Sequence, residues 1–341
     1  MINPMSDNHT SPTVIAEAGV NHNGDVALAL ALVDAAKEAG ADMVKFQAFS
    51  ADSLTSAAAP AAKYQSDRTG HSNQHAMLKA LELSEDAFRR IADHCTASGI
   101  DFLCTPFDLD QLDFLLSLNM PAIKIASGEL TNGPALALFG RQGKPVYLST
   151  GMATMAEVEI AVDTLRTAGA TDITALHCTS LYPAPPERLN LNAITTMRET
   201  LGIPVGYSDH STTIYASIAA AALGATVIEK HLTLDKSMPG PDHAASLEPK
   251  ELTAMIAGIR EVAASLGDGV KRPEPGEAET AQVARRSWHA RSDLAAGQTL
   301  KAGDIEPMRP ASGIPANRDI LGRALVRPIP AGTPILETDL T

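Results

Sequence analysis

Two lysines stand where lysines are rarely left unpaired. Lys45 lies in Met-Val-Lys-Phe-Gln and Lys124 in Ala-Ile-Lys-Ile-Ala, both inside runs that read as buried strands. An ammonium there is strongly penalised, or gives up its proton, unless an anion accompanies it. For one such lysine, snorkelling or an internal carboxylate pair explains the pattern as well as a ligand does. Two on separate strands, with Ser127, Ser149 and Ser208 as hydroxyl donors, read as a pocket for a ligand carrying both phosphate and carboxylate. His210 in Ser-Asp-His-Ser and His231 in Glu-Lys-His-Leu form the second constellation. A single histidine is more often a satisfied core residue, but two on adjacent strands can converge on one divalent cation. Glu229 shares the face of His231 by the two-residue period of a strand, and Glu17 adjoins it if the first strand closes a barrel. An open metal site would polarise a carbonyl oxygen while a carboxylate positions or deprotonates water.

These residues need a scaffold that brings distant strands together. Strand-length apolar runs alternate with Ala-rich helical stretches, and the alternation repeats until about residue 267. Strands are predicted at Val14–Ala18, Met43–Ala48, Asp101–Thr105, Ala122–Ala126, Val146–Thr150, Ile173–Cys178, Val205–Ser208 and Thr226–His231. Helices between them include Ala27–Ala39, Glu85–Ser98, Leu109–Leu118, Met155–Ala168, Ile214–Leu223 and Pro249–Leu266. Gly40, Gly99, Gly169, Gly224 and Gly267 follow five of them, where a helix end accepts a left-handed residue. The expected fold is α/β: a (β/α)8 TIM barrel followed by a small β-rich domain. A doubly wound sheet competes, but lacks its Gly-rich phosphate turn here. Polar residues then fall at the C-terminal strand ends, where barrel active sites lie: Glu17, Lys45 and Gln47, Thr105, Lys124 and Ser127, Ser149, Thr179, Ser208 and His210, Glu229 and His231.

The 341 residues carry Lys+Arg 27 against Asp+Glu 40, a formal charge of -13, so no nucleic-acid partner is expected. The small-and-apolar stretch around Ala216–Ile228 is too short and too interrupted to cross a membrane, so no membrane partner is expected either. Three cysteines, Cys95, Cys104 and Cys178, in a chain without a leader pattern fit a reducing cytoplasm, with Cys95 and Cys104 read as packing. His22 and Asn23 follow the first strand, where a turn with capping by Asp25 explains them as well as substrate contact does. Residues 50–83 form a long loop expected to overhang the barrel mouth, with a short helix at Gln74–Leu81. The barrel domain is expected at 1–267, a charged linker at 268–282, and a thin-cored domain at 283–341.

The sequence resembles the sialic acid (nonulosonate) synthases, whose barrel is followed by an antifreeze-like (SAF, β-clip) domain. The resemblance spans nearly everything after Thr13. It is carried by Ile-Ala-Glu-Ala-Gly-Val-Asn-His-Asn-Gly from Ile15, Val-Lys-Phe-Gln from Val44, Thr-Pro-Phe from Thr105 and Lys-Ile-Ala-Ser-Gly-Glu from Lys124. Leu-Ser-Thr-Gly-Met from Leu148, His-Cys-Thr-Ser from His177, Gly-Tyr-Ser-Asp-His from Gly206, Glu-Lys-His from Glu229 and Gly-Pro-Asp-His from Gly240 complete it. Ser180, where some members carry Asn, and Arg-Pro-Ala-Ser-Gly after Met308, where Arg-Pro-Gly is commoner, depart from the pattern.

The resemblance implies condensation of phosphoenolpyruvate with N-acetylmannosamine or a related 2-acetamido or 2,4-diacetamido mannose-type aldehyde. Phosphate leaves by C–O cleavage, and the product is N-acetylneuraminate or an N,N'-diacetyllegionaminate-type acid. It implies that His210 and His231 bind a divalent metal, most often Mn2+ with Mg2+ or Co2+ as alternatives. Lys45, Thr105, Lys124, Ser127, Ser149, Tyr182 and Ser208 would hold phosphoenolpyruvate, and Glu17 would handle water or a proton. Gln47, Glu129, Asp242 and Arg309 would contact the acceptor sugar, Arg309 from the partner in a domain-swapped homodimer. Two other readings stand beside it: a Schiff-base keto-sugar aldolase through Lys124, and a carbohydrate- or ice-binding protein acting through its C-terminal domain.

Overall fold

A computed structural model describes residues 11–56, 58–61, 66, 68–70 and 72–341. The expected loop at 50–83 therefore lies partly outside the described residues, as do residues 1–10. The chain divides into two compact units, one ending at Asp268 and one beginning at Gly269.

The first unit is a parallel barrel. Its strands are β1 (Thr13–Gly19), β2 (Met43–Ala48), β3 (Asp101–Pro106), β4 (Ile123–Ile125), β5 (Val146–Ser149), β6 (Ile173–Cys178), β7 (Val205–Asp209) and β8 (Val227–His231). Their spatial order is β3-β2-β1-β8-β7-β6-β5-β4, so first and last strands in sequence are neighbours, while β3 packs against β4 without ladder bonds. The register sets Glu17 level with both Lys45 on β2 and His231 on β8, and Ser208 level with Glu229. Such strands read as nearly unbroken apolar runs because both faces are covered. Ile15, Met43, Leu103, Ala122, Leu176 and Val227 fill the barrel's interior, and a larger core lies between strands and helices.

Local chemistry explains the helices between strands. Asp25 caps Val26–Ala39 by accepting from Ala27 N–H, and Gly40 ends it in the left-handed region. Ser84 caps Glu85–Ser98, and Thr154 with Glu157 forms a capping box on Met155–Ala168. The expected helix at Leu109–Leu118 divides into a 3-10 turn, Leu109–Gln111, and a short helix, Leu112–Ser117. Among the described residues, the helices Ala51–Leu54, Gly133–Gly140 and Ala193–Leu201 between the strands escaped the sequence reading.

The second unit begins with an irregular, exposed stretch, 269–276, and then turns helical. Glu277–Ala284, mostly within the segment expected as a linker, is a helix, its N-terminal acidic residues suiting the positive end of the helix dipole. Beyond it, β9 (Ser287–Ala290) and β10 (Ile305–Met308) pair antiparallel, and isolated bridges join the remaining turns. Leu294, Leu300, Ile305, Ile320, Ile329 and Ile335 are buried in its core. Trp288 packs on that core and donates through Nε1 to the Arg318 carbonyl at 2.7 Å.

Candidate active site

The C-terminal strand ends surround a cavity of about 500 Å³ in the first unit. Its floor is a charge cluster. Lys45 Nζ stands 2.7 Å from Glu17 Oε2, 3.1 Å from Thr105 Oγ1 and 3.7 Å from Glu229 Oε2. Lys124 Nζ donates to Ser149 Oγ at 2.7 Å and lies 3.5 Å from Glu229 Oε1, which also accepts from Ser208 Oγ at 2.9 Å. Gln47 Nε2 donates to Glu17 Oε1 at 2.7 Å. Glu229 thus links both lysines, a role that strand alternation alone did not reveal.

Burial and partners shift these groups in opposite directions. Burial pushes Glu17 above the usual carboxylate range, with Lys45 opposing and Glu229 adding to it. Glu229 resists the same burial, because Lys124 and Lys45 hold it at about 2. Burial works against the charge of Lys45, but Glu17 and Glu229 outweigh it and hold its pKa up. Lys124, with Glu229 as its main compensating anion, falls below the ordinary lysine range through burial.

The histidines form the wall beside this floor. The rings of His210 and His231 lie 5.4 Å apart, and Tyr182 packs on His210 at 4.1 Å and edge-on to His231 at 6.0 Å. His210 Nδ1 bonds the Thr179 carbonyl at 2.9 Å, which leaves Nε2 for another partner. His231 Nδ1 is buried without a hydrogen bond among the described residues and lies 3.9 Å from Asp242 Oδ2. Burial, reinforced by His210, keeps His231 well below the usual histidine pKa, and burial raises Asp242 to about 6. A neutral imidazole with an orphaned nitrogen beside a second imidazole fits a divalent cation. Among the described residues no group of three or more His, Cys, Asp or Glu side chains gathers to hold one unaided.

Ser127, Cys178, Ser180 and Asp242 also line the cavity. Ser127 Oγ accepts from Gly151 N–H at 2.9 Å, and a Cβ at Gly151 would collide with Ser180 Oγ and crowd Ser127 Oγ. The glycine in Leu-Ser-Thr-Gly-Met is therefore what lets these hydroxyls gather. Cys178 is buried but lines the cavity, while its neighbour His177 stacks on Tyr207 and bonds the Leu189 carbonyl, as alternation requires. Cys178 Sγ lies 3.8 Å from both His210 Nδ1 and Ser127 Oγ.

One expected sugar contact falls elsewhere in the first unit, and another belongs to the second. Glu129 sits in a 3-10 turn after β4, where its carboxylate accepts from Asn132 Nδ2 at 2.7 Å, and it does not line the cavity. The tight turn after a three-residue strand carries it away. Arg309 is an exposed residue after β10 and belongs to the second unit.

The loops over β1 and β8 are stitched together. Asn21 Nδ2 donates to the Leu232 carbonyl and to Ser246 Oγ, Asn23 Nδ2 donates to the Pro239 carbonyl, and His243 bridges Thr233 Oγ1 and Asn23 Oδ1. Gly240 allows that approach, since a Cβ there would strike the His243 ring. Asn21 and Asn23 thus hold the loop that carries Asp242.

Comparison with known proteins gives this geometry its relatives. An N,N'-diacetyllegionaminic acid synthase of Campylobacter jejuni is 44% identical over 315 residues, covering 91% of this chain and 94% of the relative. One from Legionella pneumophila is 43% identical, covering 95% and 93%. A crystal structure of N-acetylneuraminic acid (sialic acid) synthetase from Leptospira borgpetersenii, in complex with citrate, superposes with a TM-score of 0.71 at 34% identity, covering 80% of this chain and 91% of that one. The NeuB family model matches residues 32–271, and the SAF domain model matches residues 285–341. This chain belongs to the NeuB family and carries a C-terminal SAF domain.

Proposed function

We propose that the chain is a nonulosonic acid synthase that condenses phosphoenolpyruvate with a 2-acetamido or 2,4-diacetamido mannose-type aldehyde. The observation that carries the reading is the cradle of Lys45, Lys124, Thr105, Ser149 and Ser208 beneath one cavity, with two imidazoles beside it. Charge-assisted donors converging from four or more strands suit a small ligand bearing phosphate and carboxylate.

In the reaction, C3 of phosphoenolpyruvate forms a bond to the acceptor's aldehyde carbon, whose oxygen gains a proton. Water supplies the new oxygen at C2, the bond from C2 to the bridging oxygen breaks, and inorganic phosphate leaves with that oxygen. The product is a 2-keto acid. Glu17, held by Gln47 and Lys45 at the cavity floor, is placed to orient that water and take its proton. Ser127 and Tyr182 complete the phosphoenolpyruvate site, and Gln47 and Asp242 face the acceptor from the same cavity. His210 and His231 would hold a divalent ion, Mn2+ in our reading, that polarises the acceptor's carbonyl oxygen. The floor brings two lysines and two carboxylates, so it offers no surplus positive charge of its own for an anionic substrate.

The Schiff-base reading of Lys124 is set aside, since the relatives are synthases and the amine is engaged by Ser149 and Glu229. The family resemblance further supports a domain-swapped homodimer in which Arg309 reaches the acceptor bound to the partner subunit. The test is phosphate release from phosphoenolpyruvate by the full chain with Mn2+. Release that requires both the sugar and the ion supports the reading, and release without a sugar contradicts it.

A further inference from the structure

Glu17 has a separate partner on each carboxylate oxygen. Lys45 Nζ faces Oε2 at 2.7 Å, and Gln47 Nε2 donates to Oε1 at 2.7 Å. The two tethers differ in what else claims them. Lys45 also lies 3.1 Å from Thr105 Oγ1 and 3.7 Å from Glu229 Oε2, and in the proposed function it holds phosphoenolpyruvate as well. An ammonium shared among several anions is a variable restraint on any one of them. The amide of Gln47 carries no charge for a substrate anion to draw away, so it is the constant restraint on Glu17.

The backbone is built around that bond. β1 and β2 pair at Glu17 and Lys45, and the register then shifts so that Gly19 stands opposite Phe46. A bulge of this kind re-aims the side chains beside it. Gly19 adopts a φ of +52°, in the left-handed region that favours glycine. A Cβ on it would stand 3.1 Å from Glu17 Oε1 and 3.2 Å from Gln47 Nε2, the two atoms of the hydrogen bond. The space left by the missing side chain is where amide and carboxylate meet.

We infer that Gln47 is a positioning residue that acts on the reaction through Glu17: its amide fixes the carboxylate that orients the attacking water, and Gly19 gives that bond its room. The inference rests on the proposed synthase reading, in which Glu17 handles the water. Resemblance to the sialic acid synthases implies a sugar contact for Gln47, and the two roles separate in kinetics. A contact made equally in ground and transition state changes the sugar concentration needed, whereas a restraint on the carboxylate changes the rate once both substrates are bound. A misplacement of about 1 Å at the reacting atoms costs up to about a hundredfold.

The experiment follows phosphate release in single turnovers, with Mn2+ and the full chain in excess over phosphoenolpyruvate, as the sugar is raised to saturation. The sugar is whichever of N-acetylmannosamine and 2,4-diacetamido-2,4,6-trideoxymannose the parent chain turns over faster. Gln47→Met, of similar length but without a donor, should lower the saturated rate about tenfold or more and leave the half-saturating sugar concentration within about twofold. Gly19→Ala should lower the rate likewise with Gln47 in place. The double variant should lose no more than the worse single one, because both substitutions break one bond. A saturated rate kept in either folded single variant, or losses that multiply in the double one, overturns the inference and leaves the synthase standing. Where Gly19→Ala shows no cooperative melting transition, the saturated rate of Gln47→Met decides alone. No phosphate from the parent chain with either sugar overturns the synthase reading, and this inference with it.

Discussion

Lys124 meets Glu229 at 3.5 Å from a strand that is not its neighbour in the sheet. The contact crosses the barrel and makes one carboxylate answer to two ammonium groups, because Lys45 lies 3.7 Å from its other oxygen. The cavity floor is therefore a balanced cluster that a substrate anion enters, rather than a bare positive well.

Removing that carboxylate should expose the balance. Glu229→Gln keeps an acceptor for Ser208 but leaves two buried lysines with Glu17 alone. The protein without substrate is expected to lose about 3 kcal/mol of stability. Phosphoenolpyruvate should then raise the melting temperature of the variant more than that of the parent, because the ligand supplies the missing negative charge. Equal shifts in differential scanning fluorimetry would refute the shared-carboxylate account.

A second buried pair supports the turn that carries His210. Lys230 Nζ lies 2.9 Å from Asp209 Oδ2 with both side chains fully buried, and it also donates to the carbonyls of Ser211 and Thr213. Asp209 in turn accepts from Ser211 N–H at 2.8 Å and Ser217 Oγ at 2.7 Å, so the turn bearing His210 is held at both ends. Lys230→Met should cost about 3–5 kcal/mol by stranding the carboxylate, and Asp209→Asn in the same chain should restore at least half. Additive losses in urea titrations would show the pair to be uncoupled.

Stability should also fall in mild acid through His22. Burial holds this imidazole at about 4 against an ordinary 6.5, with Nδ1 accepting from Gly24 N–H and Nε2 buried without a partner among the described residues. The unfolded chain takes up its proton near pH 6.5, and the folded chain only near 4. The contribution is thus complete above about pH 6.5 and is lost as pH falls toward 4, by up to about 3 kcal/mol. His22→Gln should flatten the dependence of unfolding free energy between pH 7 and 4.5. An unaltered slope would exclude His22 as its source.

The barrel was legible because its signals are local. Runs such as Met43–Ala48 and Ile173–Cys178 are bounded by glycines and polar ends, and their strands fall where the pattern placed them. The lysines and histidines stood out by type, since charge within an apolar run demands an explanation. What crosses the barrel was not legible: alternation set Glu229 beside His231 but could not show Lys124 reaching it from β4. Glu129 illustrates the same limit, because three residues of strand followed by a 3-10 turn redirect a side chain without any marker in the sequence. The helix at Glu277–Ala284 was hidden by its polarity, having no buried face to impose a period.

The most direct measurement follows the oxygen that bridges C2 and phosphorus in phosphoenolpyruvate. With that atom labelled as 18O, and the preferred sugar and Mn2+ present, the account predicts that the label leaves entirely in inorganic phosphate as the 2-keto acid accumulates in equal amount. Unlabelled phosphate, or phosphate released without the sugar being consumed, would contradict it.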